Sequence, residues 1–208
     1  MSMTKRLVAA AAVGIASLGV LSLQVGTSSA GGVVARAELR NQAGQRIGHV
    51  VFKNKGHDVV GVAEVQLPAA GTEFRGFHIH ANDVDNNPVD GNPADGCVGD
   101  FTSVDGHWDV GGHSHGTHTG DLPVLMRDAE GHARTEFVIG KFQPGDIIGR
   151  AVIVHVGADN YANIPTRYVS SASPTGGGAD PTTLGNGDAG GRYACGVITS
   201  THDDDDKD

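Results

Sequence analysis

The sequence predicts an all-β protein, an antiparallel sandwich or flattened barrel, and two observations carry that expectation. Glycine fills 32 and proline 8 of the 208 positions, a share of turn formers that favours many short elements over a helical bundle. Between the turns, stretches rich in Val, Ile and Phe recur at 33–40, 46–53, 59–67, 73–80, 124–127, 133–139, 146–156 and 193–198, eight short strands with no convincing helix among them. The first shows the period. Val33, Ala35, Ala37 and Leu39 alternate with the charged Arg36, Glu38 and Arg40, as in a strand with one buried face. Gln42-Ala43-Gly44-Gln45 and Asp128-Ala129-Glu130-Gly131 read as hairpin turns. Segments 81–123 and 157–192, rich in Asp, Asn, Gly and Pro, break the rhythm. Loops of that length in a compact domain usually carry function, and histidines stand at their edges.

The ends of the chain read differently. Lys5 and Arg6 precede an apolar run from Leu7 to about Leu23, and Ser28-Ser29-Ala30 offers small residues for cleavage. Residues 1–30 are therefore expected to be a secretory signal peptide, the protein to be secreted to the cell envelope or beyond, and residues 31–200 to form one domain. Gly14, Ser17, Gly19 and Ser22 interrupt the run, which argues against a stable membrane anchor. The run Asp203–Asp208 is an acidic tail, natural or engineered, outside the fold. The net charge is −9, becoming −11 once Lys5 and Arg6 are removed, so no attraction to nucleic acid is expected. Cys97 and Cys195 form an even pair in an exported chain. A disulfide is expected over two buried thiols, worth roughly 4–5 kcal/mol in the chain-entropy model for a loop of about 100 residues.

Eleven histidines hold the chemistry. In Gly76-Phe77-His78-Ile79-His80, a strand would project His78 and His80 from one face and turn Ile79 into the core. His107, His113, His115, His118 and Asp121 lie within 15 residues with glycines between them, a donor set suited to zinc or copper on a loop that can wrap an ion. Val152-Ile153-Val154-His155 ends an apolar strand in a further histidine. Alone it reads as structural; beside two clusters it is a candidate ligand.

These pieces together resemble the secreted bacterial copper/zinc superoxide dismutases. The matching segments are Gly76-Phe-His-Ile-His80, Gly106-His107-Trp-Asp, His115-Gly-Thr-His118-Thr-Gly-Asp121-Leu-Pro, Ile148-Gly-Arg-Ala-Val-Ile-Val-His155 and Asp188-Ala-Gly-Gly-Arg192-Tyr-Ala-Cys195-Gly-Val-Ile, in family order over 33–199. The resemblance implies an eight-stranded Greek-key β-barrel and dismutation of superoxide anion to oxygen and hydrogen peroxide. It implies one copper and one zinc ion per chain. Copper would be held by His78, His80, His107 and His155, and zinc by His107, His115, His118 and Asp121, with His107 as the bridge. Asp159 resembles the carboxylate that links a copper histidine to a zinc histidine, Arg192 the arginine beside copper, and Cys97 and Cys195 the family disulfide. A homodimer is left open.

The chain also departs from the family. Only two residues separate His115 from His118, the stretch 82–95 matches no known role, and the loop 157–191 carries Arg167 but no lysine. His113 receives no role. A non-catalytic secreted copper/zinc-binding protein is the alternative, although after residue 30 only Met126 remains to serve as a soft ligand for Cu(I). A zinc hydrolase lacks His-Glu-x-x-His. Gly185-Asn-Gly187-Asp-Ala-Gly190 fits GxGxxG but precedes an expected strand rather than a helix. Asp83-Val-Asp85-Asn-Asn87 begins like a calcium loop, yet Pro88 replaces the required glycine. Trp108 is expected in loop packing.

Overall fold

A computed structural model describes residues 33–82, 96–173 and 175–201. The expected signal peptide at 1–30, the stretch 83–95 with its acidic run, and the tail from 203 lie outside the described residues.

Among the described residues nine strand segments form: β1 (Val33–Asn41), β2 (Arg46–Lys55), β3 (Asp58–Gln66), β4 (Phe74–Arg75), β5 (Phe77–His80), β6 (Leu125–Met126), β7 (His132–Ile139), β8 (Ala151–His155) and β9 (Arg192–Ser200). Seven make one antiparallel sheet in the order β5-β8-β9-β1-β2-β3-β7, and β4 pairs with β6. Only Gly76 separates β4 from β5, and Arg127, next after β6, bridges to Ala133 of β7. The short pair thus joins the two edges of the large sheet, and the curled sheet closes into the eight-position Greek-key barrel. Closure removes exposed edges.

Three details differ from the sequence expectation. The strand expected at 73–80 is broken at Gly76, whose amide donates to Gly157 O and whose carbonyl accepts from the His155 amide, both at 2.8 Å. A Cβ there would lie 2.6 Å from the Ala189 Cβ, so only glycine permits this approach. The strand expected at 146–156 starts as a 3₁₀ turn, Pro144–Ile147, capped by Gln143 and Asp146, and extends only over β8. A short helix, α1 (Pro181–Asn186), stands in the second long loop where none was expected, capped by Asp180, whose side chain accepts from the Thr183 amide. The predicted turns are present: Gly44 donates to Asn41 O at 2.8 Å and Gly131 to Asp128 O at 3.2 Å.

Alternation decides what faces what. Leu39, Phe52, Phe77, Ile79, Leu125, Ile147 and Ile198 fill the barrel, each worth roughly 1.5–3 kcal/mol on burial. On most strands the opposite face meets water. On β5 and β8 every residue is buried, because their outer faces lie under the long loops. Ala151 and Ile153 pack there with Phe101, Val104 and Cys195, while His78, His80 and His155 occupy the rest. Cys97 and Cys195 are disulfide-bonded across 98 residues, tying the segment after residue 96 to β9. Such a bond belongs to an oxidising compartment, so the protein is non-cytoplasmic. Among the described residues no helix is long and apolar enough to cross a membrane.

Candidate metal centre

Two sets of donors converge. Ring nitrogens of His78, His80, His107 and His155 lie within 4.8 Å of one another, and so do donors from His78, His107, His115 and Asp121. Among the described residues His78 and His107 belong to both sets, but His78 Nε2 is held by Asp159.

The strand-borne set is built by pairing. Phe77 of β5 faces Val154 of β8 and His78 faces Ile153, which brings the outward histidines of β5 beside His155 at the end of β8. Each ring is held by one nitrogen. His80 Nδ1 donates to Asp105 O at 2.8 Å, His155 Nδ1 to Gly190 O at 2.9 Å, and His78 Nε2 to Asp159 Oδ2 at 2.7 Å. The other nitrogens, His80 Nε2, His155 Nε2 and His78 Nδ1, are buried with no hydrogen-bond partner. A buried unsatisfied polar atom is costly, and three in one place are explained by an ion that takes their lone pairs. Burial holds His80 well below its ordinary value and lowers His155 to about 3, with neighbouring histidines and Arg192 adding to the effect. Both rings are therefore neutral, the form that binds metal.

The loop-borne set lies on the segment between β5 and β6. His107 Nδ1 is 3.2 Å from His115 Nδ1, and Asp121 Oδ1 is 3.4 Å from His107 Nδ1, 3.3 Å from His115 Nδ1 and 3.4 Å from His118 Nδ1. A tetrahedral zinc site with bonds of about 2.0–2.1 Å has ligand-to-ligand edges of about 3.3–3.4 Å, so these spacings fit zinc. Asp121 divides its labour. Oδ2 accepts from the Gly116 and His118 amides at 2.8 and 3.0 Å, ordering its own loop, while Oδ1 and His118 Nδ1 are buried without hydrogen-bond partners. Burial lowers His107 to about 4 against the pull of Asp121. At His115 burial is outweighed by Asp121 and Asp159, which push it up to about 9. In the absence of metal the two carboxylates thus hold a proton on His115, which an ion would displace.

Asp159 stands between the sets. Its Oδ2 meets His78 and its Oδ1 accepts from His115 Nε2 at 2.8 Å, and the side chain is fully buried. Burial alone would raise its pKa, but hydrogen bonds from His115 and His78 hold it well below the usual carboxylate range. Arg192, half-buried, donates to the carbonyls of Phe101 and Asp105. It shares the Asp105 carbonyl with His80, so the disulfide-anchored segment fixes both. Arg167 stacks on Tyr168 at 4.8 Å. His113 is exposed and outside both sets, paired with Asp109 Oδ1 at 2.8 Å. Trp108 is buried, with Arg150 4.2 Å above its ring. The GxGxxG segment spans the C-terminal end of α1 and leads into β9, the reverse of a dinucleotide fingerprint.

Sequence reasoning missed three supports. Tyr161 stacks on His115, with ring centroids 6.3 Å apart and planes 12° apart, and its amide donates to Asp159 Oδ1 at 2.7 Å. Gly187 caps α1 with φ 62°, and a Cβ there would sit 2.1 Å from Asp159 Oδ1. Lys141 donates to the His118 carbonyl at 2.7 Å. No local motif marks Tyr161 or Lys141; a glycine after a helical stretch is the one available signal for Gly187.

A closed antiparallel barrel with two overlapping histidine-rich donor sets, both containing His78 and His107, defines a dinuclear metal protein. Residues 46–198 match the model of the copper/zinc superoxide dismutases, and the chain belongs to that family. It is 39% identical over 150 residues to the Cu-Zn superoxide dismutase of Mycobacterium tuberculosis, covering 70% of this chain and 61% of the relative. It is 32% identical over 162 residues to that of Pasteurella multocida, covering 74% of each. The chain thus spans about three-fifths of the length of the mycobacterial relative. Among solved structures, the clock protein EA4 is 26% identical with a TM-score of 0.57, covering 80% of this chain and 94% of its own. A double mutant of a SOD-like protein from Bacillus subtilis shares the fold at 24% identity and a TM-score of 0.54, covering 79% of this chain and 96% of its own.

Proposed function

We propose that this protein is a secreted superoxide dismutase that binds one copper ion through His78, His80, His107 and His155 and one zinc ion through His107, His115, His118 and Asp121. The observation that carries the reading is the set of unpartnered buried donors, His78 Nδ1, His80 Nε2, His155 Nε2, His118 Nδ1 and Asp121 Oδ1, at the two places where the donor sets converge. When bound, copper supplies a one-electron redox couple, and zinc a fixed positive charge with no redox chemistry. Two superoxide anions and two protons give one oxygen and one hydrogen peroxide.

The chain's own residues do the rest. Asp159 fixes the ring orientation of His78 and His115 together, so the two subsites are set relative to each other by one carboxylate. His107 Nδ1 faces His115 and Asp121, which leaves Nε2 as the atom that takes up and gives back a proton during turnover. Arg192 offers a fixed cation to a small anion. The same reading takes residues 1–30 as an export signal, 31–200 as the dismutase domain and 201–208 as a tail outside it. The non-catalytic copper carrier is less favoured, since Met126 is exposed on β6 opposite Phe74, with no second methionine after residue 30.

The test is superoxide consumption by the oxidised, metal-loaded protein. Activity that needs copper and disappears on its removal is expected. Full copper loading with no catalysis would leave the carrier reading in its place.

A further inference from the structure

The turn that carries His118 and Asp121 is held from outside its own loop. Lys141 follows the end of β7 by two residues. Its Nζ donates to the His118 carbonyl at 2.7 Å and stands 3.5 Å from the Asp121 carbonyl. The same His118 carbonyl accepts the Asp121 amide at 3.3 Å, so the lysine binds at the point where the turn closes. That turn brings His118 Nδ1 to 3.4 Å from Asp121 Oδ1.

A lysine held in one geometry loses rotamer freedom, and an ammonium donor gives a stronger bond than a neutral one. The backbone at 141 is fixed beforehand by the next residue. Phe142 is buried, its ring 6.3 Å from that of Phe52 and 5.7 Å from that of Trp108. Lys141 therefore starts from an anchored position beside the turn. His115 has Asp159 and Tyr161 to orient it, whereas His118 Nδ1 has no hydrogen-bond partner, and its main chain is where Lys141 acts.

We propose that Lys141 is a positioning residue for the loop-borne metal subsite. By pinning the two carbonyls it keeps the His118 and Asp121 donors converged and slows the escape of zinc. The inference rests on the two-metal reading above. It is tested on the oxidised protein loaded with copper and zinc, comparing the original chain with Lys141→Met and Lys141→Arg. Two quantities are read: the rate of zinc release to excess chelator, and the visible spectrum after cobalt(II) replaces zinc. Lys141→Met is expected to release zinc about tenfold faster, the low end of what a residue supporting a metal ligand contributes. It should also shift the cobalt bands while copper content stays the same. Lys141→Arg, which keeps a cationic donor, should recover most of both. Zinc release and cobalt spectrum unchanged in Lys141→Met would overturn the proposal. So would a Lys141→Met variant whose melting point falls equally with and without metals, since that is a folding role only. If the original chain takes up no zinc, the two-metal reading itself fails, and that result is distinct from the others.

Discussion

The two donor sets of this protein are built by different means. His78, His80 and His155 stand on β5 and β8, neighbouring strands whose register is fixed by the seven-stranded sheet. The barrel places them with or without an ion. His115, His118 and Asp121 stand on a loop, and each is placed by particular hydrogen bonds. Leu184 of α1 accepts the His115 amide at 2.8 Å, Asp121 Oδ2 gathers the Gly116 and His118 amides, and Lys141 holds the carbonyls. A sheet distributes the cost of one lost contact over a ladder, whereas a loop depends on each tether. The strand-borne set is therefore a rigid template, and the loop-borne set depends on its individual hydrogen bonds.

The largest effect that separates the two comes from removing one donor on each side. His155→Ala should abolish copper binding and reduce superoxide consumption to the level of the metal-free protein, with zinc retained. Asp121→Asn or His118→Ala should do the converse, losing zinc while copper stays on the sheet. Because an ion that binds only the folded state stabilises it by RT ln(1 + [L]/Kd), the lost contribution is about 2.7 kcal/mol at zinc one hundred times its Kd. Metal analysis and thermal melting of the loaded variants check both sides. Zinc content unchanged in either loop variant would remove that residue from the set.

A smaller effect sharpens the comparison at Arg192, which stands opposite His155 and shares the Asp105 carbonyl with His80. At −11 the chain from residue 31 repels superoxide as a whole, so fast capture needs a local positive field. Arg192→Glu is expected to lower activity at low salt by roughly ten- to a hundredfold at unchanged metal content. Arg192→Lys should be milder, keeping the charge and losing the planar fork. The carbonyl bonds to Phe101 and Asp105 give the arginine a bracing role as well, and the dependence on ionic strength separates the two. Undiminished activity in the charge-reversed variant, or failure only through unfolding, would leave bracing alone.

What could be read from the sequence follows the same division. Alternation in 33–40 and the spacing of His78 and His80 reveal strand faces, because period two is a local property. The disulfide follows from an even pair of cysteines in a chain whose sequence leads to an expectation of export. The 3₁₀ turn before β8 carries a local cap, Gln143 with Asp146, and α1 a local Asp180-Pro181 start, both signals that the sequence offers; the break at Gly76 was not legible, because it answers to a distant neighbour, Ala189 packed on Gly76. Tyr161 and Lys141 escaped for the same reason. They reach their partners through tertiary approach, and nothing in the neighbouring residues announces it.

The central claim is that two subsites share His107, one placed by the sheet and one by the tethers of its loop. Quantitative metal analysis of the folded, disulfide-bonded protein after exposure to both metals and removal of the excess tests it directly. The account predicts one copper and one zinc per chain. Zinc alone, taken up after copper reconstitution with the fold retained, would contradict it.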